Sequence, residues 1–254
     1  MQEPSVAHVV ANGVATITLD RVDNRNALSA ELVNGLGDAL RAATADAAVR
    51  VIVLTNHGPA FCAGADLKGT SQAAPRYTLP QLFDLMQLGP KPVVGRIAGH
   101  CTGGGVGLAA ACDISIAADD VVLGFTEVRI GVAPAMISVV CLPKLRHGDA
   151  MELFLSGEKI TAGRAADVGL VNRAVARTDL DAAVAELVAK LVRGGPAALA
   201  ASKSLVQRVP AMPRDEALAW TQELSGQLFV GPEAAAGMAA FRDKRDAPWI
   251  PAAD

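Results

Sequence analysis

Apolar positions in this chain follow two recurring patterns: short runs rich in β-branched residues, and longer stretches where leucine or valine returns every three or four positions. Residues 6–11 and 14–19 are runs of the first kind, and they flank Asn12-Gly13. That pair accepts the left-handed conformation of the tight turn whose twist matches two antiparallel strands, so the pattern predicts a β-hairpin. After a polar loop at 21–26, Ser29 is placed to cap a helix whose Leu32, Leu36 and Leu40 share one face. Residues 51–55 and 93–97 read as short buried strands. A helix is predicted over 80–88, and Lys91-Pro92 leads the chain into the second of those strands.

A glycine-rich segment, Gly99-His-Cys-Thr-Gly-Gly-Gly-Val-Gly-Leu-Ala-Ala-Ala-Cys-Asp113, follows at once and reads as a turn opening into a helix. Strand, glycine turn, helix and a further strand at 113–117 together predict a parallel α/β architecture. Helices dominate from there on. Thr161 can cap one that ends at Gly169, a brief strand is predicted at 170–175, and helical spacing recurs at 180–192, 197–209, 215–228 and 232–242. This predicts an α/β core over 1–195 and a helical region over 196–254, whose apolar faces need either the core or another subunit.

Composition narrows the class. The 254 residues are 51% hydrophobic with a mean hydropathy of +0.32, which suits a well-packed α/β protein with a substantial core. Aromatic residues make up 4% and the formal net charge is −3, so neither a stacking platform nor a basic stripe for nucleic acid is expected. Each apolar run is interrupted well short of the ~20 residues of a membrane-spanning helix. The opening Met-Gln-Glu-Pro-Ser lacks a signal-peptide pattern, and a cytoplasmic protein is predicted. Cys62, Cys101, Cys112 and Cys141 form no Cys-x-x-Cys pair and have no histidine ladder near them, so they read as small buried hydrophobes rather than zinc ligands or disulfides. Of the four histidines only His100 lies in a motif, where a structural role is expected.

The candidate chemistry lies in backbone groups. Glycines at a helix start leave N–H groups uncovered, and the helix dipole adds to their attraction for a phosphate or for an oxyanion forming on a thioester. Ala60-Phe-Cys-Ala-Gly-Ala-Asp-Leu67 follows a predicted strand and could present a second such donor; taken alone it also reads as a tight turn into a helix capped by Asp66. Two separate donors are what an oxyanion hole requires.

Seven motifs now stand in order: Arg25-Asn-Ala-Leu28, residues 60–67, Pro90-Lys-Pro92, residues 99–113, Gly124-Phe-Thr-Glu127, Gly169-Leu-Val-Asn172 and Phe241-Arg-Asp-Lys-Arg245. Together they resemble the crotonase (enoyl-CoA hydratase/isomerase) superfamily over nearly the whole chain. The resemblance implies a ClpP-like spiral of ββα units with a C-terminal helical trimerisation region, assembled as a homotrimer or dimer of trimers. It implies an acyl-CoA substrate, with coenzyme A entering as part of that substrate and no metal or redox cofactor. The oxyanion donors would be the amides of Ala65 and Gly104. Ala63, Ala65, Asp66, Leu67 and Lys68 would line the coenzyme A cleft, and Lys244 would reach coenzyme A phosphates across a subunit boundary.

Typical hydratases of the superfamily carry two glutamates, whereas here the first position is Gly107 and only Glu127 remains. Glu127 is expected to be a general acid/base at the α- or β-carbon. Gly107 and the Pro134-Ala-Met-Ile-Ser138 run resemble a branch handling branched or carboxylated substrates such as 3-methylglutaconyl-CoA. One glutamate suffices for a syn addition of water, which makes an enoyl-CoA hydratase the leading expectation. An isomerase moving a double bond from the 3 to the 2 position also needs one proton shuttle, and a non-catalytic acyl-CoA-binding protein would use Glu127 only structurally. Gly105-Val-Gly-Leu-Ala-Ala110 matches a dinucleotide fingerprint but lies far from the N-terminus, and no Gly-x-Ser-x-Gly elbow of a serine hydrolase occurs.

Overall fold

The computed structural model describes residues 4–67 and 74–250. Strands β1 (Val6–Ala11) and β2 (Val14–Leu19) form the expected hairpin, with Asn12 at φ 48° and Gly13 at φ 77° in the left-handed region the turn requires. Helix α1 (Ala30–Ala45) begins where the Ser29 hydroxyl accepts from the Leu32 amide, and it buries Leu32, Leu36 and Leu40. Strand β3 (Val51–Asn56) is buried along its length, and the short β4 (Ala60–Cys62) follows it. Helix α2 (Leu79–Gln87) opens with a reciprocal cap between Thr78 and Gln81. After β5 (Val93–Ile97) and β6 (His100–Thr102), the glycine segment becomes helix α3 (Gly104–Ala111), and β7 (Ile114–Ala118) comes next.

The second half continues with β8 (Val122–Gly124), a 3-10 turn over Thr126–Ile130, α4 (Ala135–Cys141) and α5 (His147–Ser156). Then come β9 (Lys159–Thr161), α6 (Ala162–Asp167) and β10 (Arg173–Val175). Thr161 does cap α6, its hydroxyl accepting from the Arg164 amide. The strand predicted over 170–175 keeps only its last three residues. The amides of Leu170 and Val171 both turn back to the Ala165 carbonyl, which holds them out of the sheet. Helices α7 (Leu180–Val192), α8 (Pro196–Arg208), α9 (Arg214–Phe229) and α10 (Pro232–Arg242) complete the chain.

Two sheets organise these elements. The larger runs β1-β2-β3-β5-β7-β10 and is parallel apart from the hairpin. The smaller runs β4-β6-β8-β9, with β4, β6 and β8 mutually parallel. This second sheet lies outside the sequence expectations, because strands of three residues carry no readable alternation. One continuous core of Val, Ile, Leu and Ala side chains joins the sheets to α1, α2 and α3. Helices α8 and α9 bury no residue within the chain. Among the described residues, no helix is long and apolar enough to cross a membrane.

Candidate active site

The small sheet builds the site. Because β4, β6 and β8 run parallel, with Cys62 beside Cys101 and Thr102 beside Gly124, their carboxyl ends open on the same side. A few residues past each end stand Ala65, Gly104 and Glu127, brought together from separate stretches of chain. Ligand sites outside the carboxyl ends of strands are a general consequence of parallel topology.

Gly64 and Gly104 approach each other closely. Gly64 has φ 86°, and a β-carbon there would lie 2.7 Å from the Thr102 carbonyl oxygen and 3.2 Å from the Gly104 nitrogen. Only glycine fits that left-handed, crowded turn, and it aims the next amide, Ala65, at the same space. Gly103 caps α3 at φ 53°, its amide donating to the Gly124 carbonyl at 3.0 Å. Neither the Ala65 nor the Gly104 amide has an acceptor among the described residues. The pair is thus free to donate to a ligand oxygen at the positive end of a buried helix. Gly105 lets α3 rest directly on β4, since a β-carbon there would fall 2.0 Å from the Cys62 carbonyl oxygen.

The Arg25–Leu28 motif braces this arrangement. The fully buried Asn26 donates to the carbonyls of His57 and Ala60, and the Leu28 amide donates to the Gly64 carbonyl at 2.8 Å. Leu28 itself covers Gly104, where a β-carbon would stand 2.5 Å from Leu28 Cδ1. His100 is structural as expected, its Nδ1 accepting from the Val122 amide. Cys62 is buried beneath the site, and burial pushes its thiol up to about 12, so it is no thiolate nucleophile.

Glu127 lies in the first turn of the 3-10 segment, which is anchored by the Phe125 ring packed 4.4 Å from that of Phe154. Its carboxylate sits over Gly103, 2.9 Å from where a β-carbon on that residue would be. Oε2 is buried and has no hydrogen-bond partner among the described residues. Burial raises the carboxyl above the ordinary range, offset in part by the residue's own amide. A buried carboxylate oxygen without a partner costs stability, and such costs persist at sites that use them.

A cavity of about 440 Å³ joins these groups, lined by Ala63, Gly64, Ala65, Gly104 and Glu127 at its polar end. Leu28, Val33, Leu79, Tyr77 and Ile137 form its apolar walls, with Leu67, Ile130, Val132 and Met136 at an exposed rim. Its described lining carries no lysine, arginine or histidine. Asp66 is half-exposed beside this lining. Lys68 lies outside the described residues. Lys244 follows α10 in a left-handed turn and is not part of the cavity wall. Of the 69–77 loop, expected from the sequence to shape the acyl pocket, residues 69–73 lie outside the described residues, while Tyr77 lines the cavity, as does Ile137 of the 134–138 run.

Two backbone donors, a carboxylate with one unpartnered oxygen and an apolar cavity at the ends of parallel strands define the class of the protein: the crotonase fold. The chain belongs to the enoyl-CoA hydratase/isomerase family, whose model matches residues 10–251. It is 42% identical to the "probable enoyl-CoA hydratase echA6" of Mycobacterium tuberculosis over 179 residues, covering 70% of this chain and 73% of the relative. To the carnitinyl-CoA dehydratase of Salmonella heidelberg it is 32% identical over 260 residues, covering 95% and 97%. The crystal structure of an enoyl-CoA hydratase from Mycobacterium smegmatis superposes with a TM-score of 0.89 at 31% identity, covering 97% of this chain and 99% of that one.

Proposed function

We propose that this chain is an enoyl-CoA hydratase that uses a single carboxylate. The observation that carries this reading is the unpaired Oε2 of Glu127 beside two amides that have no acceptor among the described residues. The thioester oxygen accepts from the Ala65 and Gly104 amides, which draws electron density from the 2,3 double bond. Glu127 takes a proton from water as the hydroxyl adds at the β-carbon. The same carboxyl then returns a proton to the α-carbon, on the same face, and ends ionised as it began. Preorganised donors of this kind are typically worth ~10²–10³ in rate each, and acid/base transfer ~10²–10⁴.

The lining supports an uncharged acyl group. A substrate carboxylate, as in a glutaconyl thioester, would enter a described wall that holds no cation and already carries Glu127. Isomerisation of a 3-enoyl to a 2-enoyl thioester is the second reading, favoured by one observation: Ile137 and Phe83 crowd Gly107, leaving no polar second anchor for water. Incubation of uncharged and carboxylated 2-enoyl- and 3-enoyl-CoAs in D₂O separates the two. Mass gain of one heavy water on a 2-enoyl thioester supports the hydratase; a shifted double bond with deuterium exchange and no added water overturns it in favour of the isomerase.

The proposal extends to assembly. Phe229 (70% exposed), Val230 (87%) and Phe241 (88%) leave a broad apolar surface on the helical region over 196–254. Such surface suits burial between copies, as a trimer or a dimer of trimers, which could bring Lys244 to a neighbour's cleft. Sedimentation equilibrium tests this.

A further inference from the structure

We infer that Asn26 is the positioning residue of the oxyanion site: its buried amide shapes the loop that holds both the Ala65 and the Gly104 donors in line. The inference rests on the reading of those two amides as oxyanion donors and adds which side chain aligns them.

The loop over 21–28 carries local costs. Arg25 and Asn26 are consecutive non-glycine residues in the left-handed region, at φ 58° and 53°, and Asn24 Oδ1 is buried with no hydrogen-bond partner among the described residues. Asparagine tolerates that backbone, whereas arginine adopts it against its preference. Such conformations persist only where the surroundings over-determine them. Asn26 supplies that constraint. It is fully buried; its Oδ1 accepts from the Arg21 amide at 2.6 Å, and its own backbone amide donates to the Arg21 carbonyl at 2.8 Å, which closes the loop on itself. Its Nδ2 ties the loop outward, donating to the His57 carbonyl at 3.1 Å and to the Ala60 carbonyl, at the start of β4, at 2.8 Å.

The loop shaped in this way reaches both donors. The Arg25 carbonyl accepts from the Ala63 amide at 3.1 Å and the Leu28 amide donates to the Gly64 carbonyl at 2.8 Å, with a parallel bridge between Leu28 and Ala65. The Gly64 carbonyl and the Ala65 N–H belong to one planar trans peptide, so they point opposite ways and fixing the first fixes the second. The bond from Leu28 also polarises that peptide and makes its N–H a stronger donor. At the other donor, the Leu28 side chain lies over Gly104, with Cδ1 2.5 Å from where a β-carbon would be. A single residue, two positions from Asn26, thus touches both halves of the oxyanion site.

The test reads donor alignment apart from thioester binding. Acetoacetyl-CoA is the probe: when its C2 proton passes to solvent the negative charge settles on oxygen, and the enolate absorbs in the near ultraviolet. Titration of that band in the bound probe gives the pH at which half is ionised, and calorimetry with butyryl-CoA gives plain thioester affinity. Asn26→Gly keeps a residue suited to the left-handed backbone and removes the side-chain bonds. Leu28→Ala keeps the backbone bond to Gly64 and uncovers Gly104, which leaves a second variant if the first does not fold; thermal unfolding shows which chains are folded. The parent is expected to ionise the bound probe well below the pH at which the free probe ionises. N26G should move that midpoint up by at least one pH unit, a tenfold loss of enolate over keto binding against the ~10²–10³ that a lost donor costs, with butyryl-CoA affinity kept within threefold. L28A should move it in the same direction by a smaller amount. A midpoint unchanged in either folded variant, or enolate and butyryl-CoA affinities that fall together, overturns the inference. A parent chain that binds the probe without lowering its midpoint refutes the oxyanion reading itself, a result distinct from variants that match a parent able to ionise it.

Discussion

Ile137 stands where a side chain on Gly107 would have to go: a β-carbon built on Gly107 falls 2.5 Å from Ile137 Cγ2 and 3.1 Å from Phe83 Cζ. The missing second carboxylate is therefore not a gap in an otherwise standard site. Residues on α2 and α4 occupy its space, and the single-glutamate site is built into the packing of three helices. Gly107→Glu is accordingly expected to lower stability by about 1–3 kcal/mol through overpacking, with a further cost for a carboxylate buried against apolar neighbours, and to give no gain in turnover. Adding Ile137→Ala should recover part of the loss, because the two positions share one space. Urea unfolding of both single variants and the double variant checks this, and strictly additive losses would contradict it.

Glu127 makes stability depend on pH. Its carboxyl is raised by burial, so between the ordinary carboxylate value and the raised one the folded chain holds a proton that the unfolded chain has lost. Stability therefore falls as pH rises through that window and stays lowered above it. Glu127→Gln removes the ionisation. E127Q is expected to be more stable than the parent at neutral pH, with the difference closing as pH drops below the ordinary carboxylate range. Thermal midpoints of the two chains at several pH values decide the matter; a constant difference would mean that the carboxylate ionises without cost in its site.

Gly64 offers a way to disturb a backbone donor that no side-chain truncation can reach. At φ 86°, and with a β-carbon placed 2.7 Å from the Thr102 carbonyl oxygen, Gly64→Ala must shift the turn that aims the Ala65 amide. Turnover is expected to fall ~10²–10³-fold, more than thioester affinity does. Steady-state kinetics set beside calorimetric binding show whether the loss falls on the reacting state. A loss confined to affinity would remove Ala65 from the oxyanion site.

How much of this was legible in the sequence follows from the range of the forces involved. The hairpin, the caps at Ser29 and Thr161 and the long helices were readable because their signals lie within a few residues of where they act. The three-residue strands of the second sheet were not, although their register is what brings residues 65, 104 and 127 together. Helix α4 was missed as well: Ile137, Val139 and Val140 argue locally against a helix, and packing on α3 overrides them. Ala65, Gly104 and Glu127 were singled out through motif order, and the fold brings them to one cavity. The packing of Tyr77 on Gly37 and of Ile137 on Gly107 needed the folded chain, since each glycine lies dozens of residues away in sequence.

Lys203 fastens the helical region to the α/β part. Its side chain is 8% exposed and binds Asp113 Oδ2 at 2.7 Å, along with the carbonyls of Met86 and Lys91. Lys203→Met leaves Asp113 buried beside two unsatisfied carbonyls, and the expected loss is about 3–5 kcal/mol in chemical unfolding. A loss below about 1 kcal/mol would show that water replaces the ammonium group and that α8 is held by other contacts.

The central claim is that Glu127 moves a proton at the α-carbon of a thioester whose oxygen is held by the Ala65 and Gly104 amides. Deuterium uptake at that carbon from D₂O, followed by NMR on a saturated acyl-CoA with the parent chain and with E127Q, isolates the step from hydration and from isomerisation alike. The account predicts exchange in the parent and a loss of at least ~10²-fold in E127Q with thioester affinity retained. Equal exchange in both chains, or none in a parent chain that binds the thioester, would contradict it.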